Sequence, residues 1–136
     1  MLIVDTGVLV AAADRADPHH ESCSRLLATQ PQPLTTTAMV IAETAYLLDR
    51  ELGPSVEALL YQSILDRQLH VESLTHGDWQ RIHDLVITYA DLRLGGTDAG
   101  LVALAERHGE RRIATLNHRH FTVVRPRHID AFTLLP

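Results

Sequence analysis

The sequence predicts an α/β fold in which a short parallel sheet is flanked by helices. Short apolar runs, 2–5 and 112–116 among them, alternate with longer stretches of helical periodicity. Gly and Pro stand at the joints, as at Gly53-Pro54 and Gly109. Strands separated by helices along the whole chain are the pattern from which parallel sheets are built.

Each element has its own signal. Leu2 to Asp5 reads as a buried strand, and Thr6 to Asp14 as a helix that Thr6 can cap. Pro18 to Thr29 is a second helix, stopped by Pro31 and Pro33. The β-prone segment Leu34 to Thr37 leads into a long helix, Ala38 to Leu52, closed by Gly53-Pro54. Pro54 suits the first position of the next helix, Ser55 to Arg67. Leu69 to Leu74 alternates apolar and polar residues as a strand should, and Thr75 with Asp78 forms a capping-box pattern that opens a helix through Tyr89. Past the segment 92–96 comes a helix from Thr97 to His108, ended by Gly109. Strands follow at Arg112 to Leu116 and Ala131 to Leu135. No internal repeat and no linker divides the chain.

With 136 residues, 46% of them hydrophobic and 21% charged, the expectation is one domain over 1–136 with a real core. Cys23 is the single cysteine, which excludes an internal disulfide and fits a reducing, cytoplasmic setting. The N-terminal apolar run lacks a basic flank and carries Asp5, which argues against a signal peptide. No apolar run approaches the ~20 residues of a membrane helix, so no membrane partner is expected.

All twelve basic residues are arginine. The absence of lysine removes P-loop NTPases and Schiff-base enzymes from consideration. Six arginines (Arg107, Arg111, Arg112, Arg119, Arg125, Arg127) share one late stretch with His108, His118, His120 and His128. Guanidinium matches phosphate geometry, but a net charge of -5 is no global nucleic-acid signature.

Four acids stand where folding alone would not put them. Asp5 ends the first apolar run, Glu43 lies within the apolar stretch 39–48, Asp91 closes a helical pattern, and Asp98 opens the segment TDAGLVALAERHG. A lone buried carboxylate is costly unless a partner or metal holds its charge. In open parallel sheets the ligand crevice lies beyond the carboxyl ends of the strands, where Asp5, Asn117 and the start of the Asp98 helix are expected. Each acid also has an ordinary reading: Asp5 as a helix cap, Asp98 as a charge answering the helix dipole, Asp91 as a solvated helix end. Glu43 resists one, because its neighbours Met39, Val40, Tyr46 and Leu47 put it on the apolar stripe. Carboxylates converging in this way suit a hard cation, Mg2+ with Mn2+ able to substitute, and such ions serve phosphodiester hydrolysis.

The segments VDTGVLVA, AMVIAETAYLL, ADLRLGGTDAGLVALAERHG and RIATLNHRHFTVVRP, in that order, resemble the PIN-domain ribonucleases, in particular the VapC-type toxins of bacterial toxin–antitoxin pairs. The resemblance implies a PIN-like three-layer α/β/α domain. It matches Asp5, Glu43 and Asp98 to the family's metal-binding acids, Thr6 to its accessory hydroxyl, and Asp91 to an acid often found near the site. Where many relatives have aspartate after the last core strand, this chain has Thr115-Leu116-Asn117, whose amide oxygen can ligate but brings no charge. The implied catalytic set is thus Asp5, Glu43, Asp98 and Asn117, with Thr6, Asp91 and Thr115 accessory and His118, Arg119 and His120 as RNA contacts. An RNA substrate, a homodimer and a VapB-like antitoxin whose extended segment covers the groove are implied with it. Two alternatives stay open. One is a non-catalytic regulator that binds metal or a partner. The other is an aspartyl phosphatase, which wants a second acid where Gly7 stands.

Two other features read as structural. His19-His20-Glu21 with Cys23 looks like the start of an ordinary helix rather than a zinc site, and Trp79 is expected in the core rather than as a base-stacking platform.

Overall fold

The computed structural model describes residues 1–136. It begins with β1 (Leu2–Val4), α1 (Thr6–Ala13), α2 (His20–Thr29) and β2 (Leu34–Thr37). α3 (Ala38–Leu52), α4 (Pro54–Leu65) and β3 (Leu69–Glu72) follow, then α5 (His76–Thr88) and α6 (Gly96–His108). β4 (Arg112–Ala114), α7 (His118–Val123) and β5 (Thr133–Leu135) complete the chain. The five strands form one wholly parallel sheet in the order β3-β2-β1-β4-β5, with helices on both faces. The fold class read from the sequence is the one observed.

The central strand shows why an unbroken apolar run was needed. Leu2, Ile3 and Val4 are completely buried, and they alternate between the two faces. Leu2 and Val4 pack with Val8, Ala11 and Cys23 of α1 and α2. Ile3 points the other way, into a cluster with Leu85 of α5, Leu101, Val102 and Leu104 of α6, and Phe121. β2 is polar by contrast, yet its three threonines are buried, and two of their hydroxyls have partners. Thr36 donates to Val4 O at 2.7 Å, and Thr37 caps α3 by accepting from Val40 N.

Caps fall largely where the sequence put them. Thr75 and Asp78 form a reciprocal capping box at 3.1 and 2.9 Å, and Gly109 closes α6 in the left-handed region at φ 65. Ends differ where a strand loses its neighbour. β3 stops at Glu72 rather than Leu74, because Glu72 pairs with Thr37, the last residue of β2. β4 stops at Ala114 rather than Leu116, because Ala114 pairs with Val4, after which the chain turns into α1. α4 ends at Leu65, and Arg67, expected within that helix, turns at φ 60. α2 begins at His20 and β5 at Thr133, each two residues later than expected, and α6 at Gly96, one residue earlier.

Two expectations fail more substantially. α7 was not foreseen, since six residues carry too little periodicity. Trp79, expected in the core, is 51% exposed on α5. No helix is long and apolar enough to cross a membrane.

Candidate functional site

Because the sheet is parallel, β1, β2 and β4 all end on one edge, and α1, α3 and α7 begin there. Asp5 is the single residue between β1 and α1. It is not the last residue of the strand, as the sequence suggested, but the N-cap of α1. Its backbone N–H still bonds Ala114 O at 2.9 Å, which ties it to the end of β4. One carboxylate oxygen accepts from Thr6 N–H and the other from the Thr115 hydroxyl, both at 2.7 Å.

The contacts continue through the site as one network. The Thr6 hydroxyl donates to Glu43 Oε2 at 3.3 Å. The Thr115 hydroxyl accepts from Asn117 N–H at 2.9 Å, and the Asn117 side chain caps α7 by accepting from His120 N–H. Asn117 Nδ2 lies 3.3 Å from Asp98 Oδ2, and His120 Nδ1 lies 2.6 Å from that same oxygen. Asp5, Thr6, Glu43, Asp98, Asn117 and His120 line a cleft of about 700 Å3 together with Gly7, Leu47, Arg93, Gly95, Thr97 and Leu116, with Thr115 buried behind them.

Placement of the acids corrects part of the sequence argument. Glu43 reaches the cleft, but not from a buried stripe: it is exposed, and the inward face of α3 runs through Val40, Thr44, Ala45 and Leu48. Tyr46, counted among its apolar neighbours, is 64% exposed. Asp91 is exposed in the turn after α5 and does not line the cleft. Asn117 serves as a cap and an amide donor, its oxygen accepting from His120 N–H at 3.4 Å. His118 and Arg119 are exposed on α7 outside the cleft, whereas His120 lies within it. His20 of the His-rich segment bonds Ala11 O, Cys23 is fully buried, and no metal cluster forms there.

Arg93 was missed. It lies between α5 and α6 at φ 54, lining the cleft. Left-handed backbone is uncommon for a residue with a β-carbon. The available signal was its place in Leu92-Arg93-Leu94-Gly95-Gly96, an arginine directly before the helix that carries Asp98.

Electrostatically the cleft is acidic. The Asp5 carboxyl is pushed up from 3.8 to about 6, mainly by burial, with the Asp98 and Glu43 charges adding to the rise and the Thr115 and Thr6 donors opposing it. Asp98 Oδ1 and Glu43 Oε1 carry no protein hydrogen bond. Each carboxylate is turned toward its own donor, and no three acid or imidazole groups meet at coordinating distance of one point. The available donors are nonetheless carboxylate and hydroxyl oxygens lining one cleft, the set that suits a hard divalent cation. Gly7 brings no second acid next to Asp5, so a phosphatase pair is absent.

A family model described as PIN domain matches residues 2–125. Ribonuclease VapC26 of Mycobacterium tuberculosis is 30% identical over 135 residues, which is 99% of this chain and 100% of that protein. Among solved structures, M. tuberculosis VapC20, described as a sarcin-ricin loop cleaving toxin, has a TM-score of 0.77 at 23% identity, covering 83% of this chain and 87% of its own. FitAcB from Neisseria gonorrhoeae has a TM-score of 0.63 at 15% identity, covering 100% of this chain and 97% of its own. Both structural likenesses are likenesses of fold.

Proposed function

The chain belongs to the PIN-domain family, and on that premise we propose that it is a divalent-cation-dependent endoribonuclease, the toxin of a toxin–antitoxin pair. The full-length likeness to a protein named as a ribonuclease supports the activity. The observation that carries the mechanism is the gathering of Asp5, Glu43 and Asp98, from the starts of α1 and α6 and the side of α3, onto one cleft.

In this reading Asp5, Glu43 and Asp98 hold the cation, Mg2+ or Mn2+. A bound ion of this kind activates water and neutralises charge on a phosphodiester undergoing in-line attack. Thr6 and Thr115 fix the orientation of Asp5, and the Thr6 hydroxyl draws Glu43 toward the cleft. Arg93 at the cleft is suited to a backbone phosphate, and exposed His118 and Arg119 on α7 to flanking RNA. A VapB-like antitoxin and a homodimer belong to the same proposal. Exposed Leu59 and Leu65 on α4 and Ile87 on α5 are apolar surface for such contacts.

The test uses purified protein, single-stranded and hairpin RNA, and Mg2+ or Mn2+. Cleavage should require the ion, stop with chelator, and be lost in Asp98→Asn. Undiminished cleavage in excess chelator would refute the metal mechanism. Metal binding without cleavage would favour the non-catalytic regulator.

A further inference from the structure

Asp98 differs from the other two acids in how it is held. Both donors that reach it converge on Oδ2: His120 Nδ1 at 2.6 Å and Asn117 Nδ2 at 3.3 Å. Asn117 Nδ2 also lies 2.9 Å from His120 Nδ1, a hydrogen bond only where Nδ1 carries no proton; against an acceptor-only carboxylate the 2.6 Å contact is the shorter, so the proton is assigned to Nδ1 and the amide donates to Oδ2. The side chains are 19% and 15% exposed, so the bond is largely shielded from competing water. Both donors sit at the start of α7, where the Asn117 side chain also caps the His120 N–H. One turn of chain thus builds the cap and the clamp together. Oδ1, with no protein partner, is the oxygen left for a cation.

We infer that His120 is a positioning residue for Asp98: by occupying Oδ2 it fixes the carboxylate so that Oδ1 is presented to the divalent ion. This rests on the metal-site reading above, and it replaces the RNA-contact role that the sequence suggested for this histidine. An unclamped carboxylate must give up rotamer freedom when it binds the ion, and outer partners of ligating groups typically contribute about 10–100-fold to metal affinity.

The experiment is Mn2+ titration calorimetry on the full chain for the parent, His120→Ala, His120→Asn and His120→Gln, with metal-free melting curves beside it. Asparagine places its amide nitrogen near the Nδ1 position, whereas glutamine places it near Nε2, away from Asp98. His120→Ala and His120→Gln should lose about tenfold or more in Mn2+ affinity, in line with the outer-partner effect. His120→Asn should recover most of it, while the metal-free melting temperatures of Asn and Gln variants agree. If alanine does not fold, the Asn–Gln pair alone decides. Parent-like Mn2+ affinity in the Ala or Gln variant overturns the inference. So does weaker RNA binding in chelator with unchanged Mn2+ affinity, which would make His120 an RNA contact. Absence of Mn2+ binding by the parent would instead overturn the metal-site reading beneath it.

Discussion

Replacing Asp5 with asparagine should make the metal-free protein more stable at neutral and alkaline pH while abolishing cleavage. Burial and the neighbouring acids raise the Asp5 carboxyl from 3.8 to about 6, so ionisation is disfavoured in the folded state. The folded protein therefore loses stability as pH rises from near 3.8 through 6, and above that window the loss is complete. A rise of roughly two pH units corresponds to about 3 kcal/mol. Asparagine removes that cost. Its oxygen can still accept from Thr6 N–H, but its nitrogen turns toward the Thr115 hydroxyl, which must then give up its role as donor, at about 1 kcal/mol. The net gain at pH 8 is about 2 kcal/mol, or about 7 °C in Tm for 136 residues. At pH 4 the gain has vanished and the order is already reversed, and at still lower pH the variant should melt about 3 °C lower than the parent. Excess Mg2+ should reverse the order at pH 8, because only the parent keeps the full ligand set. Thermal melts from pH 4 to 8, in chelator and in Mg2+, make the comparison. An Asp5→Asn protein less stable than the parent in chelator at pH 8, or a difference independent of pH, would refute the argument.

Asn117→Asp puts a second negative charge against Asp98 Oδ2, now 3.3 Å from the amide nitrogen; it should cost about 1–2 kcal/mol without metal and strengthen Mn2+ binding about tenfold, read by melting and calorimetry. Arg93→Gly relieves a left-handed residue at φ 54, so it should hold or raise stability by up to about 1 kcal/mol. It should also weaken RNA binding in chelator and flatten its salt dependence by about one counterion. Asp78→Ala removes both the reciprocal cap of α5 and the buried partner of Arg107 Nε; chemical denaturation should show a loss of about 2–4 kcal/mol with Mn2+ affinity unchanged.

The sheet was legible because a strand buried on both faces needs the unbroken apolar run seen at 2–4, and because caps such as Thr75 and Gly109 announce themselves locally. Strand ends were not, since Glu72 and Ala114 end where their neighbours end, and that is information about another part of the chain. Asp5 and Asp98 could be placed because strand ends and helix starts share one edge of a parallel sheet. Glu43 lines the cleft, but not for the reason the sequence offered: helical periodicity located a stripe, whereas tertiary packing turned Val40, Thr44 and Leu48 inward instead. Arg93 and the role of His120 depend on one turn's backbone and one side chain's partner, and neither has a periodic signal.

The bond between Asp5 and Thr115 spans 110 positions of the chain, and β1 is joined to β4 only when Ile3 meets Ile113. A nascent chain that has emerged as far as α6 holds Asp5, Glu43 and Asp98 but has no β4 to complete the central strand, and neither the Thr115 hydroxyl nor the His120 imidazole. Distant parallel pairing of this kind is late and slow to form. Synthesis order thus sets when the site can take shape: the contacts that fix Asp5 and Asp98 wait for the last quarter of the chain to emerge.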